Sequence, residues 1–138
     1  MHSLIDDVRL INLPGLSEEN GEIIFVDGVN DIPFPISRAF MVKGGADSIR
    51  GRHAHRNCKQ FLLCIDGSIV VLCDDGNNEV KFKLDCSNIG LFVPPGIWAE
   101  QQYIEPGSIL VAFCDRPFEE SDYIRDRKEF LNFCNKKY

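Results

Sequence analysis

The sequence lacks any apolar stretch long enough to cross a membrane. It also lacks the apolar core of a secretory signal peptide, because Asp6, Asp7 and Arg9 fall where that core would lie. No internal repeat, linker or low-complexity tract divides the 138 residues, which are too few for two ordinary domains. These absences predict a soluble, cytoplasmic protein with no membrane partner and a single domain over residues 1–138.

The six cysteines form no C-x-x-C pair, the spacing typical of many metal and redox sites. Cys64, Cys73 and Cys114 lie in apolar, strand-like segments, where a small hydrophobic side chain would pack. We therefore expect reduced, structural thiols. Cys58 differs because it lies in a cationic segment, and nearby positive charge favours the reactive thiolate. It is the cysteine that we expect to be reactive.

Acidic residues are absent from residues 50–59, although the whole chain has 21 Asp and Glu against 15 Lys and Arg. Four Lys and Arg lie in this short segment, which leaves 11 of the 15 for the rest of the chain. A local positive field in an acidic protein suits a small anionic ligand. A nucleic acid would require a broad basic face, so we expect no nucleic-acid partner.

Helical periodicity is almost absent before residue 120. Glu79–Leu84 alternates polar and apolar residues, as a strand with one solvent-facing side does, and Asp66-Gly67 is a hairpin signal. Residues 27–35 are rich in turn formers and predict a loop. Predicted strands cover residues 8–13, 22–26, 36–43, 60–65, 68–73, 79–84, 89–93, 97–103 and 108–114, with a further strand around the histidines. These short, evenly spaced strands predict an antiparallel sandwich or barrel.

The C-terminal segment has a different pattern. Asp126, with Glu129 three residues later, resembles a capping box at the start of a helix. An apolar side is supplied by Phe130, Leu131, Phe133 and Cys134. The sequence therefore predicts a short closing helix.

The candidate site is the strand that carries His53 and His55. Side chains of an extended strand alternate between faces, so both imidazoles should project to one side and Arg52, Ala54 and Arg56 to the other. Two imidazoles on one face can bind a metal or transfer protons. They could also be the polar edge of a strand, but the adjoining cationic segment and apolar hairpin suit a site better.

The spacing of these residues resembles the two motifs of the cupin superfamily. His53, His55, Gln60 and Gly67 match the first motif, and residues 94–99 match the second, which runs P-x-G-x-x-H. Two of the four usual metal ligands are replaced, a glutamate by Gln60 and a histidine by Ala99. An amide oxygen is a weak ligand and a methyl group is none, so a catalytic metal is disfavoured, although the two histidines could hold one loosely.

Without a metal, paired histidines in a barrel mouth favour acid/base chemistry. An imidazole titrates near neutral pH and can move a proton beside a carbonyl, an effect typically worth about 100- to 10,000-fold in rate. The cationic neighbours would anchor a diphosphate. These residues predict a proton-moving enzyme that acts on a phosphorylated or nucleotide-linked substrate.

Three motifs in order extend the resemblance over nearly the whole chain, from about residue 10 to residue 130. They are Arg50–Arg56 with Gln60 and the turn at residues 66–68, then Pro94–Trp98, then Asp122–Arg125. Together they look like the dTDP-4-keto-6-deoxyhexose 3,4-ketoisomerase family. The resemblance implies an all-β cupin jelly-roll barrel, here with a short C-terminal helix, that forms a homodimer and uses no cofactor.

The resemblance also implies a reaction. The keto group of a dTDP-linked 4-keto-6-deoxyhexose would move from C4 to C3 through an enediol. The product would then feed a PLP-dependent aminotransferase that makes a 3-amino-3,6-dideoxy sugar for surface polysaccharide. One histidine of the pair His53 and His55 would carry the C3 proton to C4, and the other would act on the oxygens.

The remaining site residues are also implied by the resemblance. Substrate-holding roles fall to Arg50, Arg52, Gln60, Trp98, Gln102, Arg125, Arg38 and Asn20. Two of these have plainer interpretations, because Trp98 could fill the core and Arg125 could form a surface ion pair with Asp122 or Glu129.

Several positions depart from the family pattern. Asn20 stands where relatives often have arginine, and Phe40 with Met41 follows Arg38 without a phenolic hydroxyl. Residues 99–102 replace a segment that often reads H-E-x-H. Fewer titratable groups are therefore expected in the site, with consequences for the stereochemistry at C4.

Two alternatives stay open at this stage. A related dTDP-sugar epimerase would move protons at C3 or C5 without relocating the keto group, which NMR of the product would reveal. A non-catalytic cupin that binds sugar nucleotides or stores metal would bind dTDP without proton exchange in heavy water, or retain metal after purification.

Overall fold

The computed structural model describes residues 3–135, so both limits of the predicted domain, residues 1 and 138, lie outside the described residues. Twelve strands and two α-helices make up most of this range, with a short 3-10 turn at Ile5–Asp7 and another at Glu120–Asp122. No helix in this range is both long and apolar enough to span a membrane. The strands are β1 Arg9–Asn12, β2 Gly15–Glu18, β3 Gly21–Ile24, β4 Arg38–Lys43, β5 Ile49–His55, β6 Gln60–Asp66, β7 Ile69–Asp74, β8 Glu79–Leu84, β9 Ile89–Val93, β10 Trp98–Tyr103, β11 Ile109–Cys114 and β12 Tyr123–Ile124, and the helices are α1 Gly28–Asp31 and α2 Arg127–Asn135.

The strands form two five-stranded antiparallel sheets, one ordered β1-β9-β6-β11-β4 and the other β12-β5-β10-β7-β8. Strands β2 and β3 pair separately as a hairpin. The main core fills the space between the sheets and includes Leu62, Val71, Leu91 and Tyr103. The predicted all-β fold of a cupin barrel with a short C-terminal helix is confirmed.

Helix α2 covers the outer face of the second sheet. Its Phe130 packs against Trp98, with ring centroids 5.6 Å apart, and Ala54 and Ile124 complete this smaller core. Arg56 forms an ion pair with Glu129 of the same helix, at 2.8 Å. The helix therefore covers the face of β5 that points away from the main core.

One predicted loop was wrong, and one strand was not predicted. Gly15–Glu18 forms β2 between two predicted strands, because it pairs with β3 through backbone hydrogen bonds that its own sequence does not indicate. The predicted loop over residues 27–35 contains one helical turn, α1. The other predicted strands and the closing helix are present within two residues of their predicted limits.

Strand β5 contains an irregularity that controls what it presents to the core. His53 pairs with Ala99 and Gly51 pairs with Glu100, so Arg52 is an extra residue without a partner on β10. Gly51 and Arg52 both have positive φ angles, 85° and 58°. This is a β-bulge, and one inserted residue reverses the alternation of side chains along a strand.

We predict that Gly51→Ala lowers the free energy of unfolding by about 1 to 3 kcal/mol, because Gly51 holds a left-handed conformation. An added Cβ would also lie 2.5 Å from Oε1 of Gln101. Chemical denaturation would measure the loss. Gly45→Ala is the matched control, since nothing lies within 4 Å of an added Cβ there. Equal stability of the two variants would contradict the strained bulge.

Candidate active site

A cavity of about 190 Å³ opens between the two sheets beside the histidine strand. The first sheet contributes an apolar wall that includes Phe40, Leu62 and Leu110. The second sheet and the segment after β12 contribute most of the polar side, which consists of Arg50, His53, Gln101, Tyr103, Tyr123 and Arg125. An apolar wall facing a few convergent polar groups is typical of a site for a small ligand.

The bulge explains how Arg50 and His53 both reach this cavity. Their odd spacing would place them on opposite faces of a regular strand. The extra residue Arg52 restores them to one face, where Arg50 pairs with Gln101 and His53 pairs with Ala99. The guanidinium and the imidazole therefore line the same space.

The two histidines lie on one face of β5, as predicted. Their ring centroids are 5.1 Å apart and their planes are nearly perpendicular, at 89°. His53 lines the cavity, whereas His55 lies behind it and is only 5% exposed. The predicted opposite face is also confirmed for Ala54 and Arg56, which face helix α2.

Asp122 holds His55 in place. Its Oδ2 lies 2.8 Å from Nδ1 of His55, and its Oδ1 accepts a hydrogen bond of 2.7 Å from the backbone N–H of Asn57. With a hydrogen on Nδ1, His55 leaves the lone pair of Nε2 free, and this buried atom has no hydrogen-bond partner among the described residues. The carboxylate therefore fixes both the tautomer and the orientation of the ring.

Burial keeps both imidazoles neutral at neutral pH. Burial, followed by the adjacent His55 ring, lowers the pKa of His53 to about 4. Burial also lowers the pKa of His55, although the hydrogen bond with Asp122 opposes it. A neutral imidazole has a free lone pair, so His53 can accept a proton from a molecule in the cavity.

Tyr123 lies against both histidines. Its ring centroid is 5.0 Å from that of His53 and 4.4 Å from that of His55. Nη2 of Arg38 is 3.4 Å from the phenolic oxygen and donates to it. Because the oxygen accepts from Arg38, its own hydrogen is free to donate to another group. Tyr123 lines the cavity and can supply that donor to a ligand.

Arg125 lies at the edge of the cavity and is half exposed. Its guanidinium makes two hydrogen bonds to Glu120, of 2.8 and 3.0 Å, and lies 4.3 Å from the centroid of the Tyr123 ring. The ion pair considered from the sequence was thus assigned to the wrong acidic residue. The arginine contributes positive charge where an anion would enter.

Cys114 and Cys58 lie beneath the polar wall. Nη2 of Arg38 and Nε2 of Gln60 each donate to the Cys114 sulfur at 3.4 Å. A hydrogen bond with the Cys58 thiol lowers the pKa of Cys114, and both of these donors act in the same direction. The Cys58 pKa is instead raised, by Cys114 and by burial. The predicted reactivity of Cys58 is therefore wrong, because the thiol is buried and its contact with Cys114 disfavours the thiolate.

Comparison with known proteins identifies the family. A family model described as FdtA: WxcM-like, C-terminal matches residues 6–135. The TDP-4-oxo-6-deoxy-alpha-D-glucose-3,4-oxoisomerase of Aneurinibacillus thermoaerophilus is 30% identical over 131 residues, which cover 93% of each chain. This chain belongs to the sugar 3,4-ketoisomerase family. The prediction of an enzyme is thereby confirmed.

Solved structures of ketoisomerases have the same fold over nearly their whole length. QdtA from Thermoanaerobacterium thermosaccharolyticum, in complex with TDP, superposes with a TM-score of 0.93 at 26% identity, covering 98% of this chain and 99% of that one. A 3,4-ketoisomerase from Helicobacter canadensis gives a TM-score of 0.91 at 32% identity, covering 94% and 98%.

Four residues proposed from the ketoisomerase resemblance do not line the cavity. Arg52 is exposed on the bulge, and Asn20 is exposed at the turn of the β2–β3 hairpin. Trp98 and Gln102 lie on the outer face of β10, where Trp98 packs against α2. The residue of β10 that lines the cavity is Gln101, next to Gln102 in sequence, because only alternate residues of a strand face the core.

The other proposed residues do lie at the site. Arg50, Gln60 and Arg125 line the cavity, and Arg38 supports it through Tyr123. The sequence interpretation missed Gln101, Tyr103 and the partner role of Asp122. Asp122 and Tyr123 belong to the same quoted motif as Arg125, so the signal was present.

The usual cupin metal position does not fit this chain. It would require ligands at His53, His55, Gln60 and Ala99, but Ala99 offers only a methyl group. The amide nitrogen of Gln60 is already directed at Cys114. Two imidazoles remain, which is fewer than the three protein ligands of a typical catalytic zinc site.

We predict that His53 titrates with a pKa of about 4 in the folded protein. The unfolded chain takes up this proton near pH 6.5 and the folded chain does not, so the free energy of unfolding should fall as pH drops from about 6.5 to 4. Isotope-edited NMR of the imidazoles would measure the pKa. Denaturation at several pH values, with His53→Asn as the control, would isolate its share of the fall. Titration of His53 near 6.5 in the folded state would contradict the prediction.

Proposed function

We propose that this chain catalyses the 3,4-ketoisomerisation of a dTDP-linked 4-keto-6-deoxyhexose by acid/base chemistry, without a cofactor. The observation that carries the proposal is the buried, neutral imidazole of His53 in the wall of a cavity flanked by Arg50 and Arg125. Membership of the ketoisomerase family supports the choice of reaction. The relative from Aneurinibacillus thermoaerophilus is named for TDP-4-oxo-6-deoxy-glucose, which supports the choice of substrate.

In the proposed mechanism, His53 takes the proton from C3 of the sugar. The electron pair of the broken C–H bond forms the C3–C4 double bond, and the C4 ketone oxygen takes up a proton and becomes the second hydroxyl of an enediol. His53 then returns its proton to C4 while the C3 hydroxyl loses its own proton and becomes the ketone. The proton lost from O3 balances the one gained at O4. One imidazole can serve both steps because C3 and C4 are adjacent.

We propose a positioning role for His55 and Asp122. Their hydrogen bond of 2.8 Å is buried and connects β5 to the segment before β12. His55 packs edge to face against His53, and its neutral state avoids a second positive charge beside the base. The pair therefore fixes the orientation of His53. Because His55 stays neutral, it does not repel the positive charge that His53 gains when it takes up a proton.

The oxygens of the enediol require a donor, and Tyr123 is placed to provide one. Its phenol lines the cavity and accepts from Arg38, so its hydrogen can be directed at the sugar. The aromatic residue that the family often has after Arg38 is here Phe40, which has no hydroxyl. We propose that Tyr123 supplies the hydrogen bond to O3 or O4.

The diphosphate is assigned to the two arginines at the cavity. Arg50 and Arg125 both line it, and guanidinium groups suit phosphate oxygens. Arg125 would exchange part of its ion pair with the exposed Glu120 for the ligand. QdtA was solved in complex with TDP, which supports a nucleotide as part of the ligand of this chain.

Several wider predictions from the sequence also remain proposals. We propose that the product serves an aminotransferase in the formation of a 3-amino-3,6-dideoxy sugar. The homodimer, the cytoplasmic location, the single domain and the absence of nucleic-acid or membrane partners stay predictions.

We expect the enzyme to convert dTDP-4-keto-6-deoxyglucose to a 3-keto sugar that carries deuterium at C4 when the reaction runs in heavy water. Proton NMR would follow both changes. His53→Asn should lower the rate by about 100- to 10,000-fold, since it removes the base, and His55→Asn should lower it less.

Substrate incubated without protein is the control for spontaneous exchange. Deuterium at C3 or C5 with the keto group still at C4 would indicate an epimerase instead. Unlabelled, unchanged substrate that nevertheless binds would indicate a non-catalytic protein.

We predict that Tyr123→Phe lowers kcat by about 100-fold or more while leaving KM nearly unchanged, as expected for loss of a donor to a developing oxyanion. Tyr103→Phe is the matched control, because it also removes a phenolic hydroxyl from this cavity. The Tyr103 hydroxyl has no hydrogen-bond partner among the described residues. Steady-state kinetics of the two variants would decide. An unchanged kcat for Tyr123→Phe would remove Tyr123 from the mechanism.

A further inference from the structure

Three possible metal ligands meet behind the cavity, on the side of β5 that adjoins β12. One ligand atom each from His55, Cys58 and Asp122 lies within 4.8 Å of the others. All three side chains are buried, with 5%, 1% and 6% of their residue surfaces exposed. Imidazole, thiol and carboxylate are the three ligand types that zinc prefers.

Cys114 lies beside Cys58 and is fully buried, but its sulfur does not belong to the cluster. The guanidinium of Arg38 and the amide of Gln60 already donate to that sulfur, each at 3.4 Å. The three ligands therefore leave the fourth position of a tetrahedral zinc ion to a water molecule. Cys58 binds the metal as a thiolate.

The electrostatic balance allows a divalent ion at this position. The Cys58 thiolate and the Asp122 carboxylate would carry two negative charges beside a neutral imidazole. Zinc contributes two positive charges. The buried charges then cancel, which is the condition for placing them out of contact with water.

We propose that His55, Cys58 and Asp122 form a zinc-binding site that inhibits the enzyme. The sulfur and nitrogen ligands select zinc over calcium or magnesium, which prefer oxygen. The site differs from the cupin metal position, with which it shares only His55. Binding releases the Cys58 proton and replaces the contact of its sulfur with the Lys59 carbonyl oxygen, now 3.4 Å long.

Inhibition follows from the position of His55. Its Nε2 is buried without a described partner and its Nδ1 is held by Asp122, so a metal at either nitrogen changes how the ring is oriented or bonded. His55 packs directly against His53. A zinc ion here therefore disturbs the proton-carrying imidazole without entering the cavity, and it adds positive charge that disfavours protonation of His53.

The test is metal binding by tag-free, reduced protein. Competition with a chromophoric chelator should show one zinc per chain. Cobalt(II) in place of zinc should give the near-ultraviolet charge-transfer absorption of cobalt bound to thiolate. Neither measurement depends on the isomerase activity, so a failed activity assay leaves this result interpretable. No binding, or cobalt bound without that absorption, would overturn the proposal.

Variants then assign the ligands. Cys58→Ser should lower zinc affinity by more than about 100-fold, since loss of even an outer-shell contact costs 10- to 100-fold. Cys86→Ser is the matched control because Cys86 is an exposed thiol outside the cluster, and it should bind as tightly as the original protein. Thermal unfolding of both variants without metal would check their folding. Unchanged affinity in a folded Cys58→Ser protein would overturn the assignment, and the wild-type cobalt spectrum decides the matter if that variant does not fold.

Discussion

One inserted residue in β5 determines what this protein presents to its cavity. A regular strand would direct Arg50 away from the face that holds His53, and the sequence R-G-R-H could not place a cation and a base side by side. The bulge at Gly51 and Arg52 removes this conflict, because the strand loses one step of alternation between them. Glycine tolerates the first positive φ angle, whereas Arg52 holds the second at a real conformational cost. A strained backbone beside a candidate base is the arrangement found at many functional sites.

Burial acts on the two imidazoles in one direction, and Asp122 acts on only one of them. Without the carboxylate, desolvation would leave the His55 ring free to choose either tautomer. The hydrogen bond at 2.8 Å places its hydrogen on Nδ1 and ties β5 to the C-terminal motif. His53 has no such partner, so its low pKa leaves a neutral lone pair directed at the cavity. The different surroundings of two identical side chains give them different chemical capacities.

The sequence was sufficient for the fold class, the strand rhythm and the face of the two histidines, because these depend on periodicity and on motif spacing. It was not sufficient where a shift of one residue moves a side chain to the other face of a strand. Trp98 and Gln102 were chosen on β10, but the side chains that face the core are those of Ala99, Gln101 and Tyr103. No local signal shows which alternate residues of β10 face the core, because that depends on the strands beside it. The prediction of which thiol is reactive was wrong for a related reason. The positive charge beside Cys114 comes from Arg38, which is 76 residues away in sequence.

Replacing cupin ligands did more than remove a metal position. A glutamate at position 60 would place a second negative charge beside Cys114, whereas the amide of Gln60 donates to that sulfur and stabilises its thiolate. A histidine at position 99 would put a third imidazole next to His53, whereas the methyl of Ala99 packs in the main core. The first substitution therefore places a donor beside the Cys114 sulfur, and the second leaves an apolar group beside His53. His55 connects the cavity wall to the buried cluster, because its ring packs against that of His53 and one of its nitrogens lies within 4.8 Å of the Cys58 sulfur. A change at Cys58 is therefore separated from His53 by a single imidazole ring and needs no contact with the substrate to act on it.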